Sequence, residues 1–306
     1  MAFGRSHEVQ KAGRQMLSDQ QGPGGPQQHS GYSLPDCYRH PGRETGVSCT
    51  RCERPVCPDC RVSAAVGFQC RDCVQGGNAG VRQATTAFGG RPVRDGALVT
   101  KILIGINLAV WGLTYLLGNS FVDRFLMLGD LPGYAGGVVD GQWYRMITSV
   151  FLHQQILHIG MNMWSLWVIG PALEQLLGRW RYLGLYLVAG LAGSALQLIV
   201  APETPALGAS GAIFGLLGAL VVLQRKRGYQ LGPIVAIIVV NLVATFTIAG
   251  ISWEAHVGGL VAGLAIGLGL AHAPAGRRNL VQWGTMGLVL AAVVVASLIG
   301  AAQLSG

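Results

Sequence analysis

The chain has 306 residues, of which 51% are hydrophobic and only 12% charged; its mean hydropathy is positive and its formal net charge is +8. That apolar balance excludes an ordinary soluble globular protein. The basic excess does not indicate nucleic acid either, because the Lys and Arg residues fall in short clusters between apolar runs, as in proteins that orient themselves in a bilayer.

Residues 1–35 are rich in Gln, Gly and Ser and carry too few apolar side chains to bury a core, which predicts a disordered segment. They contain no apolar run that could act as a signal peptide, so the N-terminus is expected in the cytoplasm. All seven cysteines follow, between Cys37 and Cys73. In a reducing compartment, clustered cysteines hold metal more often than they form disulfides. Their spacing is Cys37-x2-His40, Cys49-x2-Cys52, Cys57-x2-Cys60 and Cys70-x2-Cys73, which supplies eight groups for two tetrahedral zinc ions. A domain at 36–75 is too small to form an adequate apolar core, so zinc is expected to drive its folding. No ligand position looks open, which makes the ions structural.

The pattern resembles a B-box-type cross-brace. That resemblance implies one zinc on Cys37, His40, Cys57 and Cys60, and a second on Cys49, Cys52, Cys70 and Cys73. B-boxes usually close with histidines where this chain has a Cys pair, and a sequential pairing of neighbours stays open. Binding of a protein partner, substrate selection and docking on the membrane surface all suit such a domain. Residues 76–97 are Gly-, Arg- and Ala-rich and predict a flexible linker.

Seven apolar runs follow, at about 98–118, 150–172, 180–201, 208–224, 231–250, 254–272 and 280–302. Runs of roughly 20 residues can cross a bilayer, and hydrocarbon offers the backbone no partners, so they must be helices. This predicts an all-α polytopic membrane protein of seven transmembrane helices. With the N-terminus inside, the inner segments hold Arg91, Arg94 and Lys101, then Arg179 and Arg181, then Arg225, Lys226 and Arg227, then Arg277 and Arg278. The outer ones hold Arg124 and Arg145, a bias that fixes the orientation. The loop at 119–149 carries Phe121, Phe125, Leu126, Met127, Leu128 and Trp143, which places part of it in the membrane interface. His153, at the entrance to the second span, is read as interfacial.

Polar groups inside a span are costly and mark function or a satisfied pair. The notable ones are His158 and Asn162 in the second span, Ser210 in the fourth and His256 in the sixth. These three spans run in the same sense, so groups near their N-termini share one depth on the outer side. Alone, a Ser in a Gly/Ala-rich span reads as packing; together the four can form a site. A histidine can take the proton of a serine hydroxyl and make it a nucleophile. His158 and Asn162, four residues apart, share a helical face and can aim two donors at an oxyanion, with the Ser210 N–H as a third. Glu254, two residues from His256, points to a different face, so a Ser–His dyad is expected and not a triad.

Gly208-Ala209-Ser210-Gly211 resembles the GxSG motif of rhomboid proteases, and Ala255-His256-Val257-Gly258-Gly259 with Gly263 is similar to their AHxxGxxxG helix. His158 to Asn162 matches the HxxxN element, and Trp143-Tyr144-Arg145 resembles the WR region of the first loop. The resemblance covers about 98–272 and implies a rhomboid-like six-helix bundle over 98–275, with the transmembrane helix over 276–306 as an addition that has a packing role. It implies an intramembrane serine endopeptidase, with Ser210 as nucleophile, His256 as general base, His158 and Asn162 on the oxyanion, and no cofactor for catalysis. Substrates would be single-span membrane proteins, the setting a bacterial cell membrane, and the lateral substrate gate would lie at the fifth helix near Phe246 and Trp253. Gly259 and Gly263 would let the sixth helix approach the fourth closely. The alternatives are a catalytically silent rhomboid-like protein that binds membrane clients, and a channel or transporter; the presence of both dyad residues argues against silence.

Overall fold

The computed structural model describes residues 33–79, 84–92, 95–131, 136–248 and 250–304. The segment read as disordered lies outside them up to residue 32, as do Arg94 and residues 80–83 of the expected linker. Two compact units form, Met1–Arg82 and Gln83–Gly306.

In the first unit, β1 (Asp36–Cys37) pairs antiparallel with β2 (His40–Glu44), and β3 (Arg61–Ser63) with β4 (Phe68–Cys70). Helix α1 (Arg71–Asn78) starts on Cys70, whose sulfur accepts the N–H of Cys73 at 3.3 Å. The buried cluster consists of Val56 and the sulfurs of Cys37, Cys49, Cys57, Cys60 and Cys70. A core with one buried aliphatic side chain among the described residues cannot hold such a fold by apolar burial alone.

The second unit is helical. Each of the seven apolar runs is a helix: α2 (Leu98–Leu117), α5 (Ile156–Leu177), α6 (Arg179–Val200), α7 (Ser210–Lys226), α8 (Gly232–Thr247), α9 (Trp253–His272) and α10 (Arg278–Leu304), with α3 (Asn119–Phe125) and α4 (Arg145–Thr148) in the first loop. Five segments among the described residues are long and apolar enough to cross a membrane: α2, α5, α6, α9 and the stretch Ala275–Leu304. Helices α7 and α8 have 17 and 16 residues and fall short of that length. The second run begins later than its apolarity suggests, because Ser149–Phe151 forms a 3-10 turn and Leu152 is extended before α5 starts.

Helix α7 is buried along most of its length and packs between α6 and α9. The contact with α9 is backbone against backbone. A Cβ on Gly259 would lie 1.9 Å from Gly211 O, one on Gly263 2.0 Å from Gly215 O, and one on Gly267 2.9 Å from the Cα of Ala219. Three positions spaced by four on α9 thus meet three spaced by four on α7. The expected row of Gly259 and Gly263 is present, with Gly267 and the facing row on α7 added to it.

Polar side chains pin the periphery. Glu174, wholly buried on α5, accepts the N–H groups of Val99 and Thr100 at 3.0 Å and the Thr100 hydroxyl at 3.1 Å. A carboxylate there satisfies N–H groups that α2 cannot pair within itself. Arg145, 2% exposed, donates to Gln142 Oε1 at 2.6 Å, Asp123 O at 2.7 Å and Leu126 O at 3.0 Å. This guanidinium holds the first loop folded on itself, and the interfacial reading is corrected for Leu126, Met127 and Leu128, which are buried within the protein. Trp143 remains partly exposed. On α10, Gln282 accepts from Arg181 Nε at 2.7 Å and donates to Phe88 O at 2.9 Å and Leu270 O at 3.0 Å. Phe88 is buried, so part of the stretch read as a flexible linker is packed against the helices.

Gly263→Ala is expected to lower stability by about 1–3 kcal/mol, because the new methyl has backbone on its far side and the helices must separate. Gly105→Ala, on α2 with open space around it, should leave the thermal midpoint in detergent unchanged or slightly raised. Equal midpoints for both variants would contradict the close α7–α9 contact.

Candidate active site and metal centre

The segment before α7 is tied down on both sides. Met127 and Ala206 exchange backbone bonds of 2.8 and 3.0 Å, Gly129 N–H reaches Pro202 O at 2.9 Å, and Gly208 N–H reaches Ser149 O at 2.9 Å. Gly208 turns the chain with φ +126°, a conformation side chains rarely adopt, and a Cβ there would lie 2.7 Å from Cε1 and Nε2 of His158. Glycine therefore lets the His158 ring lie directly against the loop that delivers Ser210. Two residues on, Ser210 opens α7, where its N–H has no partner within the helix.

His256 sits in the first turn of α9, which is capped by Ser252 accepting the N–H of Ala255 at 3.1 Å. Its ring stacks on Phe214, one turn after Ser210 on α7, with centroids 4.3 Å apart and planes 20° apart. His256 Nε2 lies 2.7 Å from Ser210 Oγ. On the other edge, Nδ1 lies 2.7 Å from the hydroxyl of Thr245 on α8. The structure thus brings Ser210 and His256 into hydrogen-bond contact and adds two residues that sequence reading missed, Phe214 and Thr245. Phe214 carried a signal, since a residue four after Ser210 shares its helical face. Thr245 carried little, because threonines are common in apolar helices. Glu254 Oε2 lies 3.0 Å from the Ser252 hydroxyl and makes no bond to His256.

His158 and Asn162 lie in the first two turns of α5, on the face toward Gly208. Asn162 is buried and its Nδ2 lies 3.1 Å from His153 Nε2. The interfacial reading of His153 is wrong. It is wholly buried, its ring packs edge-on to His158 at 5.0 Å, and the N–H of Ala209 points at its Nε2 from 3.5 Å. The Thr114 hydroxyl on α2 lies between two carbonyls, 2.7 Å from Trp111 O and 3.1 Å from His153 O. An imidazole at a span entrance is expensive next to lipid, and folding inward to meet two N–H donors at Nε2 offsets part of that cost, while Nδ1 is buried without a partner among the described residues.

In the first unit, the eight Cys and His groups gather into two sets, Cys37, His40, Cys57 and Cys60, and Cys49, Cys52, Cys70 and Cys73. The two sets interleave along the chain, in the cross-braced order. His40 Nδ1 lies 3.8, 3.3 and 3.4 Å from the sulfurs of Cys37, Cys57 and Cys60, and the Cys52 and Cys70 sulfurs are 3.7 Å apart. Thiolates at the corners of a tetrahedron around zinc stand about 3.8 Å apart. Burial opposes ionisation of Cys37, yet the backbone N–H groups of Arg39 and Cys57 bring its thiol down to about 6. In the same set, burial and the neighbouring Cys37 and Cys57 push Cys60 up to about 11. The second set repeats this: Cys49 falls to about 6 against burial, through backbone N–H groups led by that of Cys70, and Cys73 is pushed up to about 12 by Cys52 and Cys70. Sulfurs this close suppress one another's ionisation, and a divalent cation removes that conflict.

Comparison with known proteins places the helical unit in a family. Residues 140–273 match the family model of the rhomboid domain. The chain is 40% identical over 151 residues to Rhomboid protease GluP of Bacillus subtilis, covering 47% of this chain and 30% of that protein. It is 30% identical over 174 residues to the putative rhomboid protease YdcA of the same organism, covering 55% of this chain and 86% of that one. RHOMBOID-like protein 5 of Arabidopsis thaliana is 36% identical over 146 residues, covering 45% of this chain and 47% of its own length. The chain therefore spans less than half the length of two of these three relatives. The family model spans α5 to α9, the helices that carry Ser210, His256, His158 and Asn162, and with 30% identity along 86% of YdcA this chain belongs to the rhomboid family.

Proposed function

We propose that this chain is an intramembrane serine endopeptidase that cleaves single-span membrane proteins near the outer side of the bilayer. The observation that carries the reading is the 2.7 Å contact of Ser210 Oγ with His256 Nε2. As the serine oxygen attacks the scissile carbonyl, its proton passes to Nε2; the imidazolium then gives it to the leaving amine, and water releases the acyl group by the same relay. His158, Asn162 and the Ser210 N–H are the donors for the oxyanion. GluP is named a rhomboid protease, YdcA carries that name as putative, and Rhomboid-type serine protease 2 of Emericella nidulans, 34% identical over 177 residues, is named a serine protease. Phe246 and Trp253, both exposed with ring centroids 5.7 Å apart, stand where a lateral substrate gate is expected. The chain is an integral membrane protein with a cytoplasmic N-terminus, and its first unit is a structural two-zinc domain that presents a surface to a partner.

A fluorophosphonate probe should label the full chain and fail to label Ser210→Ala. A well-folded wild type that takes no label would favour the silent client-binding reading. His158→Ala and Asn162→Ala should each lower kcat by about 10- to 1,000-fold. Unchanged turnover in both would remove them from the site.

Metal analysis of the full chain should find two zinc ions, and Cys57→Ser with Cys60→Ser, which removes two ligands of one set, should lower the content of both sets together. A zinc content near zero, with disulfides seen by mass spectrometry, would overturn both the metal and the cytoplasmic placement.

A further inference from the structure

We propose that Thr245 is a positioning residue that fixes the tautomer of His256, an inference that rests on the protease reading and adds a third member to the proton relay. Two distances carry it. The Thr245 hydroxyl oxygen is 2.7 Å from Asn241 O on the preceding turn of α8, and also 2.7 Å from His256 Nδ1. A hydroxyl has a single proton. Asn241 O can only accept, whereas Nδ1 can donate or accept, so both bonds are made at once only with the Thr245 proton on Asn241 O. What Thr245 turns toward the imidazole is a lone pair, and Nδ1 must supply the proton for that bond. A neutral imidazole with its proton on Nδ1 has a bare Nε2, and Nε2 is the atom that faces Ser210 Oγ at 2.7 Å. Every donor in the row then has one acceptor: Ser210 O–H to Nε2, Nδ1–H to Thr245, Thr245 O–H to Asn241 O.

The opposite tautomer would place an N–H against the Ser210 hydroxyl and a lone pair against the Thr245 oxygen, which leaves the serine without a base. Thr245 is 4% exposed and Phe214 covers one face of the ring, so water has little access to take over its role. When Nε2 receives the serine proton, the same lone pair faces the positive ring and stabilises it without ionising. A carboxylate would do this more strongly, but Glu254 is turned to Ser252. The bond also ties the base to α8, whose buried residues are Ile238 and Thr245 alone among those described. Helix α8 in its packed position is thus part of the arrangement that arms the site.

The test compares the full-length wild type, Thr245→Val and Thr245→Ser in liposomes, with a single-span membrane protein as substrate. Valine keeps the shape and removes the acceptor; serine keeps the hydroxyl. Thr245→Val should lower kcat by about 10- to 100-fold with KM unchanged, and Thr245→Ser should recover activity to within about threefold of wild type. In protein labelled with 15N-histidine, the His256 signals should report the proton on Nδ1 in the wild type and in Thr245→Ser, with the Nε2-protonated form appearing in Thr245→Val. Unchanged kcat in Thr245→Val, serine as impaired as valine, or a wild-type His256 protonated at Nε2 would each overturn the proposal. The nitrogen signals do not depend on cleavage. If the wild type neither cleaves nor labels, the protease reading fails, and the tautomer is still decided by the spectrum.

Discussion

The approach of α7 and α9 governs the rest of the molecule. Lipid is as apolar as leucine, so helices in a bilayer gain little from burying apolar side chains against each other; they associate through packing and polar contacts. Here glycines on both helices let backbones touch, with Gly259 and Gly263 against the carbonyls of Gly211 and Gly215. Ser210 stands next to the first of these contacts on α7 and His256 one turn before it on α9. Serine has a single rotatable bond with which to reach a partner. The 2.7 Å contact therefore depends on helix separation more than on either side chain.

A second regularity concerns charge. Glu174, Arg145 and Arg181 would each be costly in a membrane protein's interior, and each is spent on backbone or amide groups that would otherwise lack a partner. Arg145 closes the first loop, Glu174 closes the start of α2, and Arg181 with Gln282 fastens α10 to the bundle. The extra helix is thus attached by a buried polar clamp as well as by apolar packing. Of the basic residues counted for orientation, Arg145 and Arg181 are buried in this way, whereas Arg225, Lys226, Arg227 and Arg277 are exposed.

Much of the site was legible because apolar surroundings make polar residues conspicuous. In spans built from Leu, Val, Ala and Gly, the residues Ser210, His256, His158 and Asn162 stand out, and counting helices brings them to one depth. The helices were legible for the same reason. What stayed hidden depended on contacts across the fold. Thr245 looks like any threonine bonded back to its own helix until His256 is placed beside it. His153 sits at the edge of an apolar run, which suits an interfacial residue equally well; only the position of the Ala209 N–H shows why it is inside. The first loop carries apolar side chains whose destination, lipid or protein, is decided by Arg145 and by pairing with the segment around Ala206. The order of the cysteine sets came from resemblance to a cross-brace, since the spacing alone admitted sequential pairs.

That order has a consequence for assembly. The stretch from His40 to Cys57, which the first set must close, contains Cys49 and Cys52 of the second; the stretch from Cys52 to Cys70, which the second must close, contains Cys57 and Cys60 of the first. Forming either set shortens the chain that the other has to loop back, and shorter loops close at lower entropic cost. The two halves are linked like rings in a chain, and neither can be dismantled while the other stays fully ordered. With Val56 as its one buried aliphatic residue among those described, the unit has little else to keep half of it standing. It should therefore form and come apart as a whole, cooperatively in whatever ion it takes.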